Sequence, residues 1–218
     1  MMMTTGRLLF TIVFALSFSS VSFAQGPQSA YRFELTPFAG FRTGGDFEER
    51  DGDGELDVDD SGAWGIMLNG PAGSEWPDGL WEFIYARQET EADTLNLLPE
   101  NPRLDMDIEY FQFGGIYLFD RDNVRPFIAM TLGISRFDPA PGGFDSETFF
   151  SASFGAGVQL NALERIGFRL EARAYTTFID TDSEFFCYSD LGIGGCLIQV
   201  ESSVLTQWEA RAGLVYRF

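Results

Sequence analysis

The chain has 218 residues, a length that suits one domain of ordinary size or two small ones. Acidic residues outnumber basic residues 33 to 14, histidine is absent, and the formal charge is −19. All of the basic residues are arginine. So acidic a chain is not expected to bind nucleic acid, and the lack of histidine argues against histidine-based triads and histidine metal sites. Binding, structural and unusual catalytic roles remain.

The first segment has the three parts of a secretory signal. Residues 1–24 have one charged side chain at Arg7, an apolar run over residues 8–16, and a serine-rich stretch that ends at Ala24. The apolar run is too short for the roughly 20 residues that a membrane-spanning helix needs. We therefore expect cleavage after Ala24, followed by a short flexible leader over residues 25–30. An uncleaved anchor helix is the alternative.

The remaining domain, residues 31–218, alternates between apolar and polar residues in separate segments. No uncharged apolar run in it reaches the roughly 18 residues that indicate a membrane-spanning helix, and helical periodicity is nowhere sustained. Period-two segments joined by turn-rich connections predict an antiparallel meander of strands. The eight predicted strands span Tyr31–Arg42, Ala63–Asn69, Leu80–Gln88, Leu104–Phe119, Val124–Phe137, Phe149–Leu160, Ile166–Ile179 and Ser203–Phe218.

The last strand shows most clearly that one face is apolar and the other polar. Trp208, Leu214 and Tyr216 share one face, and Glu209 and Arg211 share the other. Alternation alone does not say which face lines the interior, since a water-soluble barrel turns its apolar face inward and a membrane barrel turns it outward. Three features favour the membrane barrel: aromatic residues cluster at strand ends, long and short connections alternate, and the chain ends on an aromatic residue.

The second and fourth strands fit the pattern least well. In the fourth strand apolar residues occupy both faces, as Tyr110 and Phe111 illustrate. This indicates either a β-bulge near Tyr110 or aromatic side chains inside the barrel. The second strand, Ala63–Asn69, is shorter than the roughly 9 to 11 residues of a membrane-spanning strand. We expect it to extend back toward Asp60.

These features together resemble the small outer-membrane β-barrels of the OmpA-like and OmpX-like type. The resemblance rests on the secretory signal, the eight alternating segments and the final residues 213–218, and it covers the whole mature chain. It implies an all-β fold, namely an eight-stranded antiparallel up-and-down transmembrane β-barrel in the bacterial outer membrane. It also implies that Leu214, Tyr216 and Phe218 form the signal read by the barrel-assembly machinery. Outer-membrane lipid and lipopolysaccharide would surround the barrel.

Acidic residues are concentrated in the long connections. If these connections face the outside, they form a strongly negative surface beside the phosphates of lipopolysaccharide, and divalent cations would be needed to bridge the two. In the first long connection Asp51, Asp53, Glu55 and Asp57 alternate with glycine and leucine, and they offer the oxygen ligands that calcium prefers. The EF-hand pattern is not met. A solvated acidic loop is therefore the favoured interpretation, and a metal site is the alternative.

Opposite charges are predicted to pair inside the barrel. If the last two strands pair across a loop centred near Leu191, Glu171 lies opposite Arg211 and Arg173 lies opposite Glu209. Because eight strands enclose only enough width for side chains, such a ladder would fill the lumen. The alternative is a narrow, porin-like ion path lined by four residues: Arg169, Arg173, Glu34 and Glu82.

Cys187 and Cys196 lie in one predicted outer loop, with three glycines between them to allow the chain to reverse. An oxidising compartment favours a disulfide between them. Two free thiols are the alternative.

No enzyme activity is expected. The catalytic members of the barrel family resemble one another in using histidine, which this chain lacks, and neither a phosphate-binding loop nor a CxxC motif occurs. The sequence predicts a structural or surface-interaction role that needs no cofactor. A soluble, lipocalin-like barrel that binds a ligand is the remaining alternative.

Overall fold

The computed structural model describes residues 33–48, 55–93, 103–119, 123–140, 146–179, 184–190, 193–199 and 204–218. The signal and leader predicted for residues 1–30 lie outside this part of the chain. None of the described residues forms a helix long and apolar enough to cross a membrane. The strands in chain order are β1 (Glu34–Arg42), β2 (Gly45–Glu48), β3 (Glu55–Val58), β4 (Ser61–Pro71), β5 (Gly79–Asp93), β6 (Arg103–Leu118), β7 (Val124–Ala140), β8 (Glu147–Asn161), β9 (Ile166–Phe178), β10 (Glu184–Asp190), β11 (Ile193–Gln199) and β12 (Val204–Arg217).

Eight of these strands form a closed antiparallel barrel. Around the ring the order is β1, β4, β5, β6, β7, β8, β9 and β12, and β12 pairs with β1 to complete it. Every barrel strand therefore pairs with its neighbours along the chain, which is the predicted up-and-down meander. Closure removes the unpaired edges that an open sheet would expose.

The period-two sequence pattern becomes an alternation between the outside and the inside of the barrel. Along β12 and β9 almost every second side chain is buried. Trp208 and Phe154 are 61% and 52% exposed, whereas Glu209 is only 2% exposed. The apolar face therefore points outward and the charged face points inward. This arrangement is the reverse of a water-soluble barrel and fits a barrel surrounded by lipid.

The strand register fixes the width of the barrel. A row of paired residues that starts at Leu118 on β6 and crosses all the barrel strands returns to β6 at Ile108, ten residues nearer the other end. For eight strands this shear gives a strand tilt of about 40° and a backbone radius of about 8 Å. The interior consequently has room for side chains and little else.

The two ends of the barrel differ in their connections. One end, here called the terminal end, holds both termini of the barrel and the connections over residues 72–78, 119–123 and 162–165. The opposite end, here called the loop end, holds the connections over residues 43–60, 94–102, 141–146 and 179–203. The first of these contains β2 and β3, which pair with each other, and β3 also pairs with β5. The last contains the β10–β11 hairpin.

Both difficult strands are regular. The register of β6 with β5 and β7 is continuous through Tyr110, so the first alternative, a β-bulge near this residue, is wrong. Tyr110 is instead fully buried in the lumen while Phe111 faces outward, which is the other alternative. The second predicted strand was too short at both ends, since β4 spans Ser61–Pro71. It includes Gly70, where only a glycine fits, because the indole of Trp81 lies across this position and a Cβ atom would collide with the ring.

Candidate functional site: the lumen and the loop end

Buried charged side chains occupy the middle of the lumen. They reach it from β1, β5, β9 and β12, because each lies at an inward-facing position of its strand. Each of these residues is at most 5% exposed. Arginines outnumber glutamates by one in this group, which we call the charge network. Its members are Arg42, Arg169, Arg173, Arg211, Glu82, Glu171 and Glu209.

Glu171 lies at the centre of the charge network and contacts three arginines. Its carboxylate oxygens lie 2.8 Å from Nη2 of Arg169, 2.6 Å from Nε of Arg173 and 2.9 Å from Nη2 of Arg211. Gly155 on β8 makes room for this carboxylate, because a Cβ atom at that position would collide with Oε1 of Glu171. Gly155 on β8 thus allows Glu171 on β9 to reach the arginines at the centre of the lumen.

Glu82 links opposite walls of the barrel. It lies on β5, and its carboxylate oxygens are 2.6 Å from Nη2 of Arg173 and 2.8 Å from Nη1 of Arg169, both on β9. Asn69 Nδ2 donates a hydrogen bond to the same carboxylate. Since β5 and β9 lie four strands apart in a ring of eight, these ion pairs extend across the full width of the lumen.

Arg42 forms the part of the charge network nearest the loop end. It is fully buried and donates to Glu209 through Nε and Nη2. Its guanidinium carbon lies 4.9 Å from the ring centroid of Tyr110 and 4.6 Å from that of Tyr175. Such cation–π contacts partly replace the hydration that the buried guanidinium loses.

Apolar side chains cover the charge network toward the loop end. Six buried residues make this layer. Five come from β6, β7, β8 and β12, and the sixth directly follows β9: Met106, Ile108, Phe137, Phe149, Leu205 and Ile179. The terminal end is closed by a mixed layer. Its apolar part comprises Ile116, Leu118, Phe127 and Ala129, and its polar part contains the ion pair of Arg217 with Glu34 at 2.8 Å. The charge network therefore lies between two layers of packed side chains, in a region of low dielectric constant.

The predicted ladder residues lie opposite each other, but only one of the two predicted pairs is in contact. The register places Arg211 opposite Glu171 and Glu209 opposite Arg173. Arg211 contacts Glu171, as described above. Glu209 instead pairs with Arg42, its register partner on β1, and lies 3.6 Å from Nη1 of Arg211. Sequence reasoning missed Arg42, although its position on the polar face of the first predicted strand was a usable signal.

Three further sets of predicted residues can be placed. Leu214, Tyr216 and Phe218 are exposed on the outer face, and the Phe218 ring stacks on those of Tyr216 and Phe33. Cys187 on β10 pairs in register with Cys196 on β11. Asp51 and Asp53 lie outside the described residues. Glu55 and Asp57 lie on β3, in register with Glu48 and Asp46 of β2.

The outer surface changes from apolar to acidic toward the loop end. Aromatic contacts join Trp64 to Tyr85 and Tyr85 to Phe111 on the outside of β4, β5 and β6. Closer to the loop end, a groove of about 590 Å³ opens on this side. Its charged lining comprises five acids and one arginine, so its potential is negative: Asp59, Glu89, Glu91, Asp105, Asp107 and Arg87.

Comparisons with known proteins identify the fold. No family model matches the chain, and no curated protein matches it. The crystal structure of Neisserial surface protein A is similar with a TM-score of 0.56 and 15% identity, covering 85% of this chain and 97% of that one. The outer-membrane protein OprG from Pseudomonas aeruginosa is similar with a TM-score of 0.52 and 14% identity, covering 87% of this chain and 97% of that one. The predicted fold class, that of small eight-stranded outer-membrane barrels, is confirmed.

Proposed function

We propose that this protein is an integral protein of the bacterial outer membrane with a structural or surface-interaction role, and that its loop end faces the outside of the cell. The observation that supports this most directly is the ion pairing of Glu82 with Arg169 and Arg173 across the whole lumen. In the part of the chain that the structure describes, ion-paired side chains cross the lumen, which opposes the passage of a solute. The role is therefore assigned to the surface, where the acidic loop end meets its partners.

Conductance distinguishes this proposal from the narrow channel. The purified protein is first tested for retarded gel mobility that disappears on boiling, which establishes that the barrel is folded. It is then added to planar lipid bilayers. We expect no discrete conductance steps from the folded protein. Reproducible steps that change in Glu82→Gln but not in Glu89→Gln would assign the channel function instead, because only Glu82 lies in the lumen.

Divalent cations are the proposed bridge between the acidic loop end and lipopolysaccharide. In the β2–β3 hairpin Asp46 lies opposite Asp57, and Glu48 lies opposite Glu55. Like charges directly opposite each other destabilise a strand pair, and a divalent cation would relieve that repulsion. We expect millimolar calcium to increase association with vesicles that contain lipopolysaccharide, and replacement of Asp51, Asp53, Glu55 and Asp57 by their amides to reduce the effect. Equal association with and without calcium would refute the bridge.

The proposal also includes export with a cleaved signal and a disulfide between Cys187 and Cys196. A cleaved signal would place the chain in an oxidising compartment, and Cys187 and Cys196 are paired in backbone register across the β10–β11 hairpin. Intact mass spectrometry without reductant is expected to give a chain that begins at Gln25 and lacks two thiol hydrogens. A mass that includes residues 1–24, or two alkylatable thiols, would contradict the respective step.

A further inference from the structure

The boundary between apolar and polar residues on the outer wall follows a single row of the strand register. On five successive strands, β5 to β9, the large outward apolar residue nearest the loop end belongs to this row. The next outward residues on β5, β6 and β7 are charged, and the one on β8 is a threonine. The boundary row is Tyr85, Phe111, Ile134, Phe150 and Phe178, and the polar row above it is Arg87, Glu109, Arg136 and Thr148.

A row of residues paired in register is not perpendicular to the barrel axis. The shear of ten residues over eight strands makes each row climb toward the loop end by about 3 Å per strand in the direction from β5 to β9. The boundary is therefore about 12 Å nearer the loop end at Phe178 than at Tyr85. Because β5 and β9 lie on opposite sides of the ring, this offset spans the full diameter. On β12 the row continues to Val204, which is 42% exposed, and Thr206 separates it from Trp208. On β1 and β4 the boundary returns toward the terminal end through Phe41 and Trp64.

A bilayer surface perpendicular to the barrel axis does not fit this boundary. If hydrocarbon reached the level of Phe178 all round, it would cover Arg87, Glu89 and Glu109 on the opposite wall. Charged residues on the lipid face of a barrel are unfavourable, and the cost grows with their depth below the interface. If hydrocarbon stopped at the level of Tyr85, Phe150 and Phe178, which are 53% and 44% exposed, would remain in water.

We propose that the barrel is inclined in the membrane by about 25°, with the β5 wall raised toward the outside and the β9 wall lowered. The angle follows from an offset of about 12 Å over an outer diameter of about 25 Å. The proposal rests on the membrane location proposed above. Its consequence is functional, because the inclination lifts the acidic groove beside β5 and β6 away from the lipid and brings the opposite rim close to the membrane surface.

A second observation at the terminal end fits the same inclination. Raising the β5 wall draws the turn between β4 and β5 toward the hydrocarbon. Trp76 lies in this turn and is 62% exposed, and tryptophan is enriched at membrane interfaces. Both turns contain charged residues, Glu75 and Asp78 in the first and Glu164 and Arg165 in the diametrically opposite turn between β8 and β9, where Leu163 is 65% exposed. The feature that fits the inclination is therefore the tryptophan, since the β8–β9 turn would move away from the lipid.

Spin-label depth measurements test the inclination at both ends. Single cysteines replace residues in full-length protein whose own cysteines are changed to serine, and the labelled protein is folded into phosphatidylcholine vesicles. The loop-end pair is Glu89→Cys on β5 and Thr176→Cys on β9. Because the boundary row climbs about five residues between these strands, Thr176 lies only about one residue below the level of Glu89. The terminal-end pair is Ser74→Cys and Glu164→Cys, in the two opposite turns.

An inclined barrel predicts opposite offsets at the two ends. The label at residue 176 should lie in hydrocarbon and the label at residue 89 in water, about 10 Å apart in depth, and residue 74 should lie closer to hydrocarbon than residue 164 by a similar distance. An offset at the loop end alone would indicate local thinning of the bilayer and overturn the proposal. Equal depths within each pair, or a water-exposed label at residue 176 alone, would also overturn it. Four labels in water would instead refute the membrane location itself.

Discussion

Replacing Glu171 with glutamine removes the central negative charge of the lumen and leaves its shape nearly unchanged. Arg169, Arg173 and Arg211, each within 3.0 Å of this carboxylate, would then share the remaining glutamates of the charge network. Breaking a buried ion pair by removing one partner costs about 3–5 kcal/mol. With a urea dependence of about 2 kcal/mol per molar, the unfolding midpoint should fall by roughly 2 M.

Urea unfolding of the protein in phospholipid vesicles, followed by tryptophan fluorescence, measures this loss. The matched control is Glu89→Gln, because Glu89 lies on the outside, is 68% exposed and pairs with Arg87 at 3.5 Å. An exposed pair of this kind contributes about 0–1 kcal/mol. Salt at 1 M should abolish the small effect of Glu89→Gln and leave that of Glu171→Gln. Equal losses in the two variants would refute the assignment of Glu171 as the centre of a buried charge network.

Three other substitutions test separate parts of the structure. Gly155→Ala should lower the free energy of unfolding by about 1–3 kcal/mol, because the added Cβ would displace the Glu171 carboxylate that Arg173 binds. Its control is Gly115→Ala, where the added Cβ meets only ordinary contacts on the outer face. This control should be nearly neutral in the same urea titration. Arg173→Ala should lower the temperature at which heat-modifiable gel mobility is lost, and an unchanged temperature would contradict its place in the network. Phe218→Ala should reduce the fraction of the protein that reaches the outer membrane in cells, while the purified variant should still fold in detergent; normal assembly in cells would contradict the proposed signal.

The strand positions followed from the sequence where lipid imposes a strict alternation. On β9 and β12 every outward residue must be compatible with hydrocarbon and inward residues can be charged, so period two located both strands and the register of Glu171 with Arg211. Alternation weakens where a strand leaves the apolar belt. Residues 89–93 of β5 lie beyond the apolar outer surface, on the side of the loop end, and are mostly polar. The predicted strand therefore ended at Gln88, five residues before the end of β5.

Contacts across the lumen were harder to predict because they depend on the shear of the closed barrel. Arg42 and Glu209 are 167 residues apart, and only the closure of β1 on β12 brings them together. Period two does not specify that register. Tyr110 was ambiguous for a different reason: β6 has apolar residues on both faces, so the pattern does not identify the lumen side.

The central claim, that hydrocarbon surrounds the apolar face, is tested most directly by tryptophan quenching in vesicles. Trp64 and Trp208 point outward from the barrel wall, as Trp81 does nearer the terminal end. In vesicles whose acyl chains are brominated, most of the tryptophan emission should be quenched, and acrylamide in the aqueous phase should act mainly on Trp76, which lies in the β4–β5 turn. Emission that acrylamide quenches fully and brominated lipid leaves unchanged would contradict the claim.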